Sequence, residues 1–383
     1  MHALFEVADI LNSQWDAAQN IMHFNSWQWR TLDAVRRCRT AALGGHVDIC
    51  DQCGHVRISY NSCRNRHCPK CQGQKRERWM DARMAELLPV PYFHVVFTLP
   101  ECINRLALYK PATVYGLLFS TAWSTLQTFA ADPVHLGART GMIAILHTWG
   151  QTLSLHPHLH CVVPGGGLTK AGHWKTARSK GKYLFPVKAM SKVFRARYVA
   201  GLRKAFPEEP KEFFNSLFAT EWVVYAKRPF GGPEQVMEYL SRYTHKIAIS
   251  NHRLLDVSAT SVTFGYKDYR QEGYKKEMTL DALEFIRRFA MHILPKGFVR
   301  IRHYGILASS VKAVTLPVIL KQFGIRVIAK ESDPVVNLDH SAGYPCPCCK
   351  KGRMQIVINF DFRGPPLQWK EICNTITHAQ KAV

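Results

Sequence analysis

The sequence predicts an α+β fold in two parts, a zinc-ribbon-like N-terminal domain followed by an antiparallel sheet with helices. Three observations carry this reading. Two knuckles, Cys50-x-x-Cys53 and Cys68-x-x-Cys71, stand fourteen residues apart, a spacing at which four thiolates can close around one zinc. The run from Leu155 to Pro164, followed by Gly165, Gly166 and Gly167, reads as an apolar strand ended by a turn, with His156, His158 and His160 at alternate positions. A short connection joins it to a second strand-like run at 142–149, and short connections favour antiparallel pairing.

Composition bounds the partners. Lysine and arginine outnumber aspartate and glutamate by 51 to 28, giving a net charge of +23 and an isoelectric point near 9.7. Such an excess points to a polyanion, nucleic acid ahead of an anionic membrane. No apolar run reaches the ~18–20 residues of a membrane span. The first residues, with Glu6 and Asp9 in a mixed amphipathic segment, lack the basic stretch and apolar core of an export signal. A cytoplasmic location without membrane contact is expected. In that compartment twelve cysteines with Cys-x-x-Cys spacing read as metal ligands, not disulfides.

Along the chain, residues 3–22 and 26–40 read as helices, with apolar stripes of Leu4, Val7, Leu11 and of Trp27, Trp29, Leu32, Val35. Half of the cysteines then crowd between Cys38 and Cys71. Beyond the ribbon set, Cys38, His46, Cys63 and His67 offer a second four-ligand site. The competing reading has Cys38 merely buried and His46 exposed. Zinc, one ion or two, would supply folding energy that so small a segment lacks. Seven cations and two anions stand between Arg64 and Arg83, partly on a helix expected over 74–88. A charge run is ordinarily a solvated face, but beside a zinc ribbon Arg64, Arg66, Lys70, Lys75 and Arg76 point to DNA phosphates.

Pro89 and Pro91 precede a strand at 92–100, in which His94 shares a face with Val96 and Thr98. A helix at 112–131, rich in Leu, Phe and Trp, would cover the sheet. After the histidine strand comes a basic insertion, 171–198, where cations such as Lys180 and Lys182 interleave with Trp174, Tyr183 and Phe185. Cations for phosphates and aromatics for unstacked bases compose a single-strand-binding surface, although many basic loops share that composition. A strand at 221–227, a turn at Gly231-Gly232-Pro233 and a helix bearing Tyr239 and Tyr243 follow. Strands near 253–257, 261–266 and 298–304 and a helix near 280–292 complete the mixed domain. From about residue 325 the composition loosens, and Cys346-x-x-Cys349 is half a zinc site with no obvious partner beyond His340 or Cys373. These shifts divide the chain into a helical and zinc-binding domain (1–88), a catalytic domain (89–325) and a C-terminal tail (326–383).

A lone histidine on an apolar strand is ordinarily a satisfied core residue; three at alternate positions are harder to dismiss. His158 and His160 fall about 7 Å apart on one strand face, where they can grip a divalent ion if a third ligand comes from elsewhere. Tyr239 and Tyr243, spaced by four, share one helical face. The bland alternative is a packing stripe with Val236 and Leu240, yet Arg242, His245 and Lys246 crowd the same turns. A phenol of pKa ~10 is ionised in about one part in a thousand at pH 7. Lys246, one turn beyond Tyr243, would stabilise its phenolate, and a metal on the histidines would polarise a phosphate under attack.

The segments Cys38-Arg-Thr-Ala-Ala-Leu-Gly-Gly-His46, Tyr60-Asn-Ser-Cys-Arg-Asn-Arg-His-Cys-Pro-Lys-Cys-Gln72, His94-Val-Val-Phe-Thr-Leu-Pro100, His147-Thr-Trp-Gly-Gln-Thr-Leu153 and Tyr239-Leu-Ser-Arg-Tyr243 resemble the transposases of the insertion sequence 91 family, over residues from about 8 to 355. Those are rolling-circle enzymes of the His-hydrophobe-His class with an N-terminal zinc-binding domain. The resemblance implies a His-hydrophobe-His endonuclease domain of antiparallel sheet and helices. Such a domain cuts single-stranded DNA, at transposon ends and target, through a 5′-phosphotyrosine and leaves a free 3′-hydroxyl. His158 and His160 match the metal pair, for Mg²⁺ or Mn²⁺, and Tyr239 and Tyr243 match the paired nucleophiles. Some relatives use a single tyrosine, so which of the two is essential stays open, as does the third metal ligand, with His94 and His147 as candidates. A bacterial, nucleoid-associated enzyme follows, its oligomeric state unspecified. The phosphotyrosine route retains bond energy for rejoining. Three alternatives stand beside it: a plasmid replication initiator or relaxase with the same site, a non-catalytic zinc-dependent DNA-binding protein, and, at a distance, a histidine-triad nucleotide hydrolase.

Overall fold

The computed structural model describes residues 3–71, 87–177, 184–226, 230, 235–236, 247–325 and 343–381. Three short helices open the chain, α1 (Val7–Ser13), α2 (Trp15–Ile21) and α3 (Ser26–Arg36). Asn25 caps α3: its side chain accepts from the amides of Trp27 and Gln28, and Gln28 reaches back to the Asn25 amide. A hairpin follows, β1 (Gly45–Cys50) with β2 (Val56–Tyr60). Then come β3 (Tyr92–Thr98), helices α4 (Asn104–Tyr109) and α5 (Pro111–Ala131), and strands β4 (Gly141–Trp149) and β5 (Leu155–Pro164). A small hairpin, β6 (Gly166–Leu168) with β7 (Trp174–Thr176), leads to α6 (Val187–Ala205), α7 (Lys211–Ala219) and β8 (Val224–Ala226). A meander of β9 (Leu254–Val257), β10 (Ser261–Asp268) and β11 (Tyr274–Asp281) is followed by α8 (Ala282–Met291), β12 (Ile301–Gly305) and α9 (Lys312–Gln322). The chain closes with β13 (Tyr344–Pro345), β14 (Arg353–Phe360) and α10 (Trp369–Lys381).

The architecture is α+β, and the central sheet is antiparallel throughout, in the order β12-β4-β5-β3-β8. Its two faces divide the labour. Phe93, Val95 and Phe97 of β3, with Leu159, Cys161 and Val163 of β5, bury against α5 and α6 in the largest core. Pro111 starts α5 at a position where its fixed φ suits a helix and its missing amide goes unneeded. Gly201 of α6 admits the close approach of α5, since a Cβ there would meet Leu117 Cδ2 at 2.5 Å. The opposite face is apolar at one end, where Tyr92, Ile143, Ile145 and Val162 pack with Ile306 and Ile319, and carries the histidines at the other.

Two expectations are corrected here. The basic insertion expected over 171–198 includes the start of α6, whose Met190, Phe194 and Tyr198 are core residues. Arg195 donates to Phe218 O and Arg197 to Ser124 O, so these cations brace neighbouring helices. Phe185 is core, and Trp174 packs on Phe323. Lys180 and Lys182 lie outside the described residues. The loose tail is also corrected for 343–381: β14 pairs with β1 along its length, and α10 covers that sheet with Trp369, Cys373 and Ile376 against Val47 and Ile49. The run 353–360 carries the apolar content of a strand, but it sits in a Pro- and Cys-rich stretch and its partner lies some three hundred residues earlier, so no local signal paired it.

Candidate active site and metal centres

Strand register builds the histidine cluster. On the central strand β5, His158 stands opposite His147 of β4 and Thr98 of β3, and His160 stands opposite Ile145 and Val96. Directly opposed residues of an antiparallel pair project from the same face. The nitrogens of His147, His158 and His160 therefore converge to within 4.8 Å of one another, and His158 Nε2 lies 3.1 Å from His160 Nε2. His94, the other candidate third ligand, sits behind them, its Nε2 3.0 Å from His160 Nδ1. His147, His160 and His94 are buried and His158 is half-buried, so the cluster opens to solvent on one side.

Proton placement tests the fit of an ion. His158 Nδ1 lies 2.6 Å from His156 O, and a carbonyl can only accept, so Nδ1 holds the proton and the neutral ring has a lone pair at Nε2. The contact between His160 and His94 allows either ring to donate; in the tautomer with the His160 proton on Nδ1, the facing Nε2 atoms are both lone pairs. In that tautomer a cation between the two would relieve their repulsion, and three convergent imidazoles, two of them held by a second partner, are a donor set that suits a divalent ion. His156 is exposed and stands outside the cluster.

The turn from β4 to β5 forms one wall. Leu153 is fully buried with φ +59°, a left-handed conformation that costs a leucine roughly 1–2 kcal/mol. Three consecutive carbonyls hold the turn in place: Gln151 O accepts from Arg253, Thr152 O from Arg288 and Leu153 O from His292. A cavity of about 750 Å³ lies between this turn, the histidines and the end of β10, where Tyr266, Lys267 and Tyr269 line it. Those three residues also line a second cavity of about 520 Å³, which continues over Arg253, Lys275 and Lys276. Together they make a groove leading to the histidines, its wall aromatic and rich in lysine, with Asp268 paired to Lys276 and Glu277 beside them. Sequence reasoning missed this wall. Its signal was the alternation in 274–281 facing 261–268 across the Glu272-Gly273 turn, a hairpin pattern with one wet face.

The cysteines sort differently from the expected ribbon. Cys50 and Cys53 do not meet Cys68 and Cys71. Instead Cys38, Cys63, Cys68 and Cys71 form one group with sulfurs within 4.8 Å, and Cys50, Cys53, Cys346 and Cys349 form another. The reason is topological: β1 carries Cys50 to the end of its sheet where β14 enters, while the segment before Cys68 folds back on α3 and brings Cys63 beside Cys38 and Cys71. Hydrogen bonding among the four sulfurs moves their thiols in opposite directions, Cys38 and Cys71 down and Cys63 and Cys68 up, as expected of sulfurs close enough to share protons. The mixed site of Cys38, His46, Cys63 and His67 is corrected likewise. His46 Nε2 lies 3.6 Å from the buried Asp48, and His67 is buried away from the sulfurs, its pKa pushed down to about 3 by desolvation and by the nearby Arg66 and Arg300.

The predicted DNA-contact residues also part ways. Arg64 lines a cavity of about 780 Å³ with Arg39, His46 and Arg57 on the zinc-binding segment. Arg66 donates instead to Pro295 O and Phe298 O, and Lys70 donates to Cys38 O and pairs with Glu6, so both tie the segment to its surroundings in place of the expected phosphate contact. Lys75, Arg76, Tyr239, Tyr243 and Lys246 lie outside the described residues. Among the described residues no helix is long and apolar enough to cross a membrane.

Comparison with known proteins adds an independent line. Residues 10–99 match a family described as "Transposase zinc-binding domain", and residues 141–314 match one described as "Putative transposase". The chain is 46% identical to "Putative transposase y4qJ" of Sinorhizobium fredii, over 95% of this chain and 98% of that protein. It is 27% identical to the transposase for insertion sequence element IS801 of Pseudomonas savastanoi pv. phaseolicola, over 75% of this chain and 72% of that one. No solved structure matches.

Proposed function

The chain belongs to the insertion sequence 91 family of transposases, with an N-terminal zinc-binding domain, and from that premise we propose that it cuts and rejoins single-stranded DNA with a tyrosine nucleophile beside a divalent ion. The observation that carries the reading is the convergence of His147, His158 and His160 to within 4.8 Å on the sheet face. These residues would hold Mg²⁺ or Mn²⁺, which when bound would draw negative charge from the phosphate under attack. His94 and the His156 carbonyl orient two of the rings.

Tyr239 and Tyr243 supply the nucleophiles. Val236, three residues before Tyr239, is buried with Tyr92, Ile143 and Val162 at the apolar end of the face whose other end carries the histidines, which supports a tyrosine segment belonging to this side of the sheet. The phenolic oxygen attacks phosphorus, its proton passes to solvent, and Lys246 favours the phenolate. The bond from phosphorus to the 3′ oxygen breaks, and that oxygen takes up a proton and leaves as the free 3′-hydroxyl. The strand stays attached as a 5′-phosphotyrosine, so rejoining needs no other energy source. The groove over Tyr266, Lys267 and Tyr269 supports a single-stranded substrate, with bases on the rings and phosphates on the lysines.

The test is a denaturing gel. Labelled single-stranded oligonucleotides from the element's ends, with Mg²⁺ or Mn²⁺, should yield a covalent protein–DNA adduct. The Tyr239→Phe/Tyr243→Phe protein should bind the same oligonucleotides and yield none. An adduct from that double variant would overturn the mechanism.

A further inference from the structure

We propose that Cys50, Cys53, Cys346 and Cys349 form a second structural zinc site, one that clamps the C-terminal segment onto the N-terminal sheet. The family match to a zinc-binding domain ends at residue 99, so it accounts for the group of Cys38, Cys63, Cys68 and Cys71 and leaves this one without its second half. The two knuckles come from opposite ends of the chain, yet Cys50 Sγ lies 3.7 Å from Cys349 Sγ, 299 residues on, and Cys53 Sγ lies 3.7 Å from Cys346 Sγ, 293 residues on.

The backbone around the sulfurs is built for thiolates. The amides of Gln52 and Cys53 point at Cys50 Sγ, at 3.4 and 3.5 Å. The Cys348 amide points at Cys346 Sγ at 3.4 Å, and the Gly352 amide at Cys349 Sγ at 3.3 Å. Donors aimed at sulfur favour the charged form that a metal requires. The knuckles also share one turn. Gly54 N donates to Cys50 O and Lys350 N to Cys346 O, and both Gly54 and Lys350 are left-handed, with φ of +68° and +58°. Two like knuckles meeting face to face give four sulfurs at tetrahedral reach, a donor set that suits zinc.

Packing closes around the same point. A Cβ on Gly352 would meet Asp51 Oδ1 at 2.5 Å and Cys50 Sγ at 2.6 Å, so glycine alone lets the second knuckle seat. Asp51 Oδ1 accepts from Arg353 N at 2.8 Å, and Arg353 O accepts from Asp51 N at 3.0 Å. From there β14 runs antiparallel to β1, and Tyr344 Oη donates to the buried Asp48, beside His46 of the cationic cavity. The ion thus fastens the strand that completes the sheet under Arg39, Arg57 and Arg64. Closing so long a loop removes more freedom from the unfolded chain than a local knuckle would.

Native mass spectrometry of the full chain tests the site. The wild-type protein should carry two zinc ions, and Cys346→Ser/Cys349→Ser should carry one. In that variant N-ethylmaleimide should label Cys50 and Cys53 while Cys38, Cys63, Cys68 and Cys71 stay protected. Should the variant prove insoluble, the wild-type protein answers alone: on titration with a chelator, Cys50, Cys53, Cys346 and Cys349 should become reactive together as one zinc leaves. A wild-type chain with a single zinc, a double variant that keeps two, or Cys346 and Cys349 labelled while two ions remain bound would each overturn the proposal.

Discussion

His94 Nε2 lies 3.0 Å from His160 Nδ1, with the two rings nearly parallel at a centroid distance of 5.2 Å. Both candidates for a third ligand are thereby given different roles. His147 reaches the cluster, whereas His94 reaches only the far nitrogen of a ring already in it. A histidine that accepts from the back of another fixes its tautomer and raises its basicity.

His94→Ala should therefore weaken metal affinity by roughly 10–100-fold without removing the site. Strand cleavage should recover as Mn²⁺ or Mg²⁺ is raised, and maximal cleavage should approach that of the wild type. His147→Ala should not be rescued in this way, because it deletes a ligand. Metal titrations of oligonucleotide cleavage for both variants check this, and identical curves would remove the distinction.

The groove predicts a binding phenotype separate from chemistry. Tyr269 is 71% exposed at the junction of the two cavities, with no core to lose. Tyr269→Ser should weaken single-strand binding by about 1–3 kcal/mol if a base stacks there, with thermal stability unchanged. Lys275→Ala/Lys276→Ala should lower the slope of log affinity against log salt by about 0.7 for each phosphate that the lysines neutralise in the wild type. Fluorescence anisotropy at several salt concentrations measures both, and wild-type slopes would place the strand elsewhere.

Arg64 and Arg66, two residues apart, should separate cleanly. Arg66 hydrogen-bonds the carbonyls of Pro295 and Phe298, so Arg66→Ala strands partly buried acceptors and should cost roughly 1–3 kcal/mol of stability. Arg64 lines the cationic cavity, and Arg64→Ala should lower DNA affinity by more than it lowers stability. Denaturant titration beside a binding curve is sufficient; a stable Arg66→Ala protein that fails to bind DNA would reverse the assignment.

What the sequence made legible was local. Periodicity of two located β3, β4 and β5, and alternation alone put His158 and His160 on one face. Cys-x-x-Cys spacing identified metal knuckles but not their partners, because pairing depends on which strand ends meet, and β14 reaches β1 from the far end of the chain. The same limit hid the groove wall: Lys267 comes opposite Lys275, and Tyr266 opposite Lys276, only when β10 and β11 pair. In α6 the cations were conspicuous and the i, i+4, i+8 row of Met190, Phe194 and Tyr198 went unread, although that row is what the helix buries.

The turn that walls the cavity also predicts a pH response. His292 is buried, lies 3.1 Å from Leu153 O and 3.2 Å from Thr148 Oγ1, and burial holds its pKa down to about 4 from an ordinary 6.5. A histidine depressed on folding binds its proton more readily in the unfolded chain, so between those two values the unfolded state takes up protons and stability rises with pH. Its contribution is complete above about pH 6.5, on the order of 3 kcal/mol, and is lost progressively as pH falls toward 4. Acid also strips metal from thiolates, so the informative quantity is the difference from His292→Gln, which has an amide to offer Leu153 O and no charge to gain. The unfolding free energy of the wild type should fall more steeply than that of the variant between pH 6.5 and 4, and the two should run parallel above it. Parallel curves across the whole range would mean that His292 does not carry the acid sensitivity of this turn.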